Sequence, residues 1–285
     1  MLGDCVQHNN LAPILDIYVG DVPRLVFQWA DGAMLLQMAI ASQGCSGQAF
    51  SFGQKALMAR DMLNGIAYLH CRGIVHSTLR PSAVVVHFGS GRDPTHAQIL
   101  DLAGAVVLET VTEACEVTAL VGSLEYIAPE VLMGCPALCP GSDVWSAAAV
   151  MAFVWTGQSM FGQTPADRHT AIANILSVLG GISPEDMAEL CLMPCWAIYT
   201  TETPPRTDCW RASMVAGGGP GADLLLKRML VLSTARCFFS QTALPNPNSF
   251  CQLPHLVSDQ PLFQPLAALL FVILNIVRLF IESNH

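Results

Sequence analysis

The sequence predicts an α+β domain. Two short apolar runs separated by a turn stand at the front, a long helical recurrence follows, and small β ribbons lie among further helices. Residues 11–18 (LAPILDIY) and 24–29 (RLVFQW) read as antiparallel strands joined at Gly20-Asp21. Residues 33–39 open a short helix, and the Gly, Ser and Gln of 40–53 read as a loop. From Lys55 to His70, Leu57, Met58, Met62, Ile66 and Leu69 recur at three- and four-residue steps, which predicts a helix stopped by Gly73. Residues 83–88 and 97–108 read as strands joined by GSGRDPT. Residues 143–156 are apolar on nearly every side, so that helix is expected to be buried. Helices are expected again at 168–179, 185–191 and 222–232, with a Pro- and Gly-rich loop at 200–221.

Composition excludes several classes. Of 285 residues, 52% are hydrophobic and 12% charged, and the mean hydropathy is +0.46. That is too apolar for disorder, and no repeat suggests collagen or a coiled coil. Lys+Arg number 13 against 22 Asp+Glu, a net charge of -9 that argues against nucleic acid as a partner. The start, MLGDCVQHNN, has no basic or apolar region of a secretory signal. Eleven scattered cysteines form no disulfide framework and read as reduced thiols in the cytoplasm. Cys135/Cys139 and Cys191/Cys195 are spaced by three, wider than the usual zinc pairing, so chance spacing is the simpler reading. Trp29, Trp145 and Trp155 are expected in the core.

The motifs carry more. IVHSTLRPSAVV (74–85), QILDLAGA (98–105), GSLEYIAPEVL (122–132), SDVWS (142–146), TGQSMF (156–161) and LLLKRMLVLSTAR (224–236) follow one another at regular distances. In that order they resemble the protein-kinase family: its catalytic loop, metal-binding Asp segment, Ala-Pro-Glu segment, central helix with the turn after it, and last Arg-bearing block. HNNLAPILDIY and RLVFQW resemble the last two small-lobe strands and the hinge. The Glu-Tyr-Ile-Ala-Pro-Glu form is similar to Ser/Thr kinases, and HTAIANILSVLGGISPEDM to the region after the central helix in cyclin-dependent and mitogen-activated kinases.

The resemblance implies a kinase-like fold with a remnant of small lobe and hinge over 1–32, a helical large lobe over 33–254 and an apolar tail over 255–285. It implies a site of altered chemistry, since the family works by positioning ATP and magnesium. Thr78 stands where the catalytic base is a carboxylate, and a hydroxyl cannot act as that base near neutral pH. Ala83 replaces an Asn that holds magnesium, and Ser77 replaces an Arg that pairs with a phosphorylated loop. Arg80 takes the place of the loop Lys, and Asp101 that of the magnesium ligand. Gly104 lies one position beyond the usual Gly. With seven residues before His8, the Gly-rich loop, the strand Lys and its Glu partner are expected to be absent. Phe27 fits the gatekeeper, and the backbones of Gln28 and Ala30 fit the adenine edge. His76, Asp143 and a buried Glu130–Arg236 ion pair are implied as scaffold. Thr112, Thr118 and Ser123 lie in the activation-loop region, where the bland reading is a polar loop without phosphorylation.

Fold residues persist while residues of chemistry are lost. The expected function is therefore a pseudokinase acting as a protein-binding or scaffolding module, needing neither ATP nor magnesium. The alternatives are a Ser/Thr kinase using both, and a tail-anchored protein with a kinase-derived cytosolic domain. Residues 262–281 (LFQPLAALLFVILNIVRLFI) are barely long enough to span a bilayer. A membrane anchor, a helix packed on the large lobe and a partner-binding helix all stay open for that tail.

Overall fold

The computed structural model describes residues 7–19, 24–46, 49–89, 93–108, 123–135, 140–162, 164–179 and 190–196, with 226, 229 and 230. Outside them lie the Gly20-Asp21 turn, Thr112, Thr118, Cys139, Arg236, most of the helices expected at 185–191 and 222–232, the loop at 200–221 and the tail.

The first strands are β1 (Ile14–Tyr18) and β2 (Arg24–Phe27), paired antiparallel. Leu11 and Ala12, expected in the first strand, join the other sheet instead. Ala12 N–H donates to the Ile99 carbonyl at 2.7 Å, and Ile99 N–H donates to that of Asn10 at 2.9 Å. Strand β3 (Met34–Leu35) leads directly into helix α1 (Leu36–Ser46). The helix therefore covers much of the expected loop. Its early turns bury Leu36, Ala39 and Ile40, and Ser42 satisfies its own hydroxyl on the Ala39 carbonyl at 2.8 Å.

Helix α2 (Phe52–Cys71) begins with a capping box. Gln54 N–H donates to Ser51 Oγ at 3.3 Å, and Ser51 N–H donates to Gln54 Oε1 at 2.7 Å. It ends before Gly73, whose φ of +67° suits a residue without a side chain. Its buried stripe of Met58, Met62, Ile66 and Leu69 faces the core, as the recurrence predicts. Asp61 and Gly65 lie on that stripe too. The Asp61 carboxylate accepts the Ala97 N–H at 3.0 Å, and a β-carbon at Gly65 would stand 2.7 Å from the Asn10 carbonyl oxygen.

Strand β4 (Ile74–Val75) precedes β5 (Val84–Phe88), β6 (Pro94–Ile99) and β7 (Val106–Val107). The sheet order is β3-β5-β6, while β4 pairs with β7. The single strand expected over 97–108 is thus two, interrupted where Asp101 takes a left-handed φ of +68°.

Helix α3 (Pro129–Leu132) packs against α5 (Arg168–Leu179). Helix α4 (Pro140–Thr156) is buried from Ser142 to Trp155 except at Phe153, as its apolar circumference predicts. Trp145 stacks on Phe161 with ring centres 5.4 Å apart, and Trp155 is also buried. Trp29 departs from expectation at 52% exposed, because it follows β2 in an extended segment outside the core cluster.

Candidate functional site

Two loops are clamped together by the strands that flank them. Val75 pairs with Val106, which brings residues 76–78 beside 104–105. Val84 pairs with Ile99, and Leu100 N–H donates to the Ala83 carbonyl at 2.9 Å, which brings residues 80–83 beside 100–101. The position of each side chain in the site is thus set by backbone pairing at both ends.

Asp143, in the first turn of α4, holds the backbone of residues 76 and 77. Its Oδ2 accepts the His76 N–H and its Oδ1 the Ser77 N–H, both at 2.8 Å. His70 Nε2, at the end of α2, lies 2.8 Å from Oδ2. Sequence reasoning missed His70. It extends the apolar stripe four residues beyond Ile66, where a polar side chain needs a buried partner.

The His76 ring is fully buried. Its Nδ1 accepts the Thr78 N–H at 3.3 Å, so Nε2 carries the proton and donates to the Leu100 carbonyl at 3.1 Å. Burial lowers the pKa of the ring, and the Asp143 charge opposes that only in part. His76 is therefore a neutral brace between the two loops.

Ser77 adopts a left-handed φ of +65°, and its hydroxyl donates to the Gly104 carbonyl. Thr78 turns its methyl toward Gly104, where a β-carbon would lie 2.8 Å from Thr78 Cγ2. The displaced glycine is therefore needed where it stands. Thr78 Oγ1 is buried without a partner among the described residues. No carboxylate occupies this position to accept a proton.

Arg80 and Asp101 meet across the site, with Nη2 3.0 Å from Oδ2. Ala83 is buried and offers no ligand atom. Magnesium demands a near-octahedral oxygen set. Here the one carboxylate on its side already holds a guanidinium, and no group of three metal-binding side chains occurs among the described residues. The residues present do not fit a magnesium ion. The described cysteines of the two spaced pairs, Cys135, Cys191 and Cys195, form no such group either.

Phe27, expected as the gatekeeper, is half-buried at the end of β2. Gln28 N–H donates to the Pro13 carbonyl at 2.9 Å, and the Ala30 carbonyl accepts the Ala33 N–H at 3.1 Å. Gln28 and Ala30 thus each direct one backbone group into the chain itself. Glu130 is buried without a side-chain partner among the described residues, and desolvation pushes its carboxyl up to about 7. Its expected partner Arg236 lies outside them. Ser146 Oγ donates to the Tyr126 carbonyl at 2.8 Å, tying α4 to the Ala-Pro-Glu segment.

A family model described as "Protein kinase domain" matches residues 2–202. The chain belongs to the protein kinase family. Mitogen-activated protein kinase HOG1 of Exserohilum turcicum is 23% identical over 257 residues, which are 90% of this chain and 72% of that kinase. Mitogen-activated protein kinase 14 of Xenopus laevis is 26% identical over 263 residues, 91% of this chain and 68% of that one. The fold matches a chain from the crystal structure of the yeast RNA Pol II CTD kinase CTDK-1 complex, with a TM-score of 0.68 over 88% of this chain and 77% of that one at 17% identity. These likenesses agree with the Ser/Thr form of the motifs. Within this kinase domain, no described helix is long and apolar enough to cross a membrane.

Proposed function

We propose that this chain is a catalytically inactive protein kinase domain that works as a protein-binding or scaffolding module. Thr78 carries the reading: it stands at the catalytic-base position, packed on Gly104, with its hydroxyl buried. A threonine hydroxyl has no proton-accepting capacity comparable to a carboxylate near neutral pH. Ala83 adds the loss of a metal ligand. Meanwhile Asp143, His76 and the buried α4 keep the loop in place, so the fold is maintained where the chemistry is not.

A partner is supported by two observations. Leu15, Tyr18, Val19 and Trp29 are large apolar residues exposed on the β1–β2 hairpin and the hinge. The CTDK-1 chain that shares the fold was solved in a complex.

The test is transfer of labelled γ-phosphate to generic Ser/Thr protein substrates in the presence of Mg²⁺ or Mn²⁺. No transfer above background is expected. Robust transfer that Asp101→Ala abolishes would establish an active Ser/Thr kinase and refute the proposal.

A further inference from the structure

We infer that His87 and His96 form a two-imidazole site for a zinc-type divalent ion on the β5–β6 hairpin. Neither residue belongs to the site around Thr78, and the inactive-domain reading stands or falls without them.

The sheet brings the two together. His87 and His96 are directly opposed in the register of β5 and β6. Residues so paired carry their side chains on one face, with β-carbons about 5 Å apart. The rings stack at 4.1 Å between centres and 5° between planes, and both residues are half-buried.

The hydrogen bonds around the rings fix their tautomers. Gln98 Nε2 donates to the carbonyls of Asn9 at 2.9 Å and Leu11 at 3.3 Å, which leaves Gln98 Oε1 as an acceptor. His87 Nε2 lies 2.9 Å from that oxygen and therefore carries the proton. On the other ring, Thr95 donates its single hydroxyl proton to the His87 carbonyl at 3.2 Å. Thr95 Oγ1 must then accept from His96 Nδ1, 3.3 Å away. Thr95 reaches both groups because it is the extra residue where the register slips between His87 and Phe88.

The lone pairs that remain are on His87 Nδ1 and His96 Nε2. Neither atom is hydrogen-bonded among the described residues, and both reach solvent. A metal-binding imidazole has this arrangement: one nitrogen donates to an oxygen that sets the ring, and the other is free to ligate. Two such rings suit zinc or copper, whereas magnesium and calcium take oxygen ligands. Zinc–imidazole bonds of about 2.0–2.1 Å require the two nitrogens to lie within roughly 4 Å of each other. Rings stacked this closely reach that spacing by turning about χ2, a soft torsion in histidine. With two protein ligands, water completes the shell, so micromolar rather than tighter binding is expected.

The experiment titrates the full, reduced chain with Zn²⁺ and follows the histidine ring nitrogens by long-range proton–nitrogen correlation. His87 Nδ1 and His96 Nε2 should shift together and saturate together, and Mg²⁺ at the same concentration should shift neither. His87→Gln and His96→Gln should each weaken zinc by about tenfold or more, measured by competition with a zinc-binding dye. The double variant should lose little beyond either single one, because a shared ion is released when its first ligand goes. The ring shifts of wild type need no variant and decide the matter if a substituted chain does not fold. Zinc taken up by the cysteines alone, with both rings unshifted, overturns the inference. So does a shift of only one ring, an equal response to Mg²⁺, or losses that add in the double variant. None of these outcomes bears on phosphoryl transfer.

Discussion

Gly104 and Thr78 touch so closely that no β-carbon fits between them: one placed on Gly104 would stand 2.8 Å from Thr78 Cγ2. Thr78 and Gly104 are therefore a matched pair. Gly104→Ala should destabilise the domain by about 1–3 kcal/mol through overpacking. Thr78→Ser, which removes that methyl, should recover part of the loss. A double-mutant cycle in urea measures the coupling, and strictly additive effects would show that the contact is not the cause.

Asp143 supports the loop through three donors: the N–H groups of His76 and Ser77 and the His70 ring. Asp143→Ala strands all three in a buried setting. The expected loss is about 3 kcal/mol or more, since each unpaired group costs roughly 1–3 kcal/mol. Hydrogen exchange at the His76 and Ser77 amides should accelerate well beyond that of α2. Unchanged protection there would count against the role given to Asp143.

The Glu130–Arg236 pair is proposed, and pH tests it. Without a cation, the buried Glu130 carboxyl holds its proton up to about 7, against an ordinary 4.5. Between those values the folded state then binds more protons than the unfolded state, so stability falls as pH rises. Arg236→Met should show that decline and, at alkaline pH, a loss of about 3–5 kcal/mol relative to wild type. In wild type, with the charge paired, Glu130 should add no such decline, so the effect is read as the difference between the two pH profiles. Identical pH profiles for the two proteins would remove Arg236 as the partner.

His76 works in the opposite direction. Burial keeps the ring neutral, so as pH drops below about 6.5 the unfolded state takes up a proton that the folded state refuses. Stability should fall with the pH. His8 and His87, also lowered by burial, contribute in the same sense. A site-specific reading comes from ring nitrogen chemical shifts, which should report a single Nε2-protonated form of His76 down to acid unfolding. Titration of that ring near 6.5 in the folded protein would contradict the bracing role.

Much of this was legible along the chain because periodicity and motif order are local. The stripe of α2 and the buried circumference of α4 act over a few residues. The substitutions at Ser77, Thr78 and Ala83 could be read one position at a time. What escaped depends on pairing across the fold. Leu11 reads as part of the first strand, yet its partner is Ile99. The polar residues after Ile40 look like a loop until Ser42 bonds back to its own helix. Trp29 looks like core because nothing in the sequence shows which faces remain uncovered. The meeting of Arg80 with Asp101 joins two motifs that the sequence places 21 residues apart.

The ammonium of Lys55, near the start of α2, donates to the carbonyl of Trp155 at the far end of α4, 100 residues later. At a synthesis rate of about 5–20 residues per second, Lys55 is made roughly 5–20 s before that carbonyl exists. Between the completion of β6 and that of α4, the Met58, Met62 and Ile66 stripe of α2 has β6 to lean on but not α4. The most vulnerable moment in the life of this protein is therefore its birth, and the pace of translation between codons 71 and 156 should govern how much of it reaches the folded state.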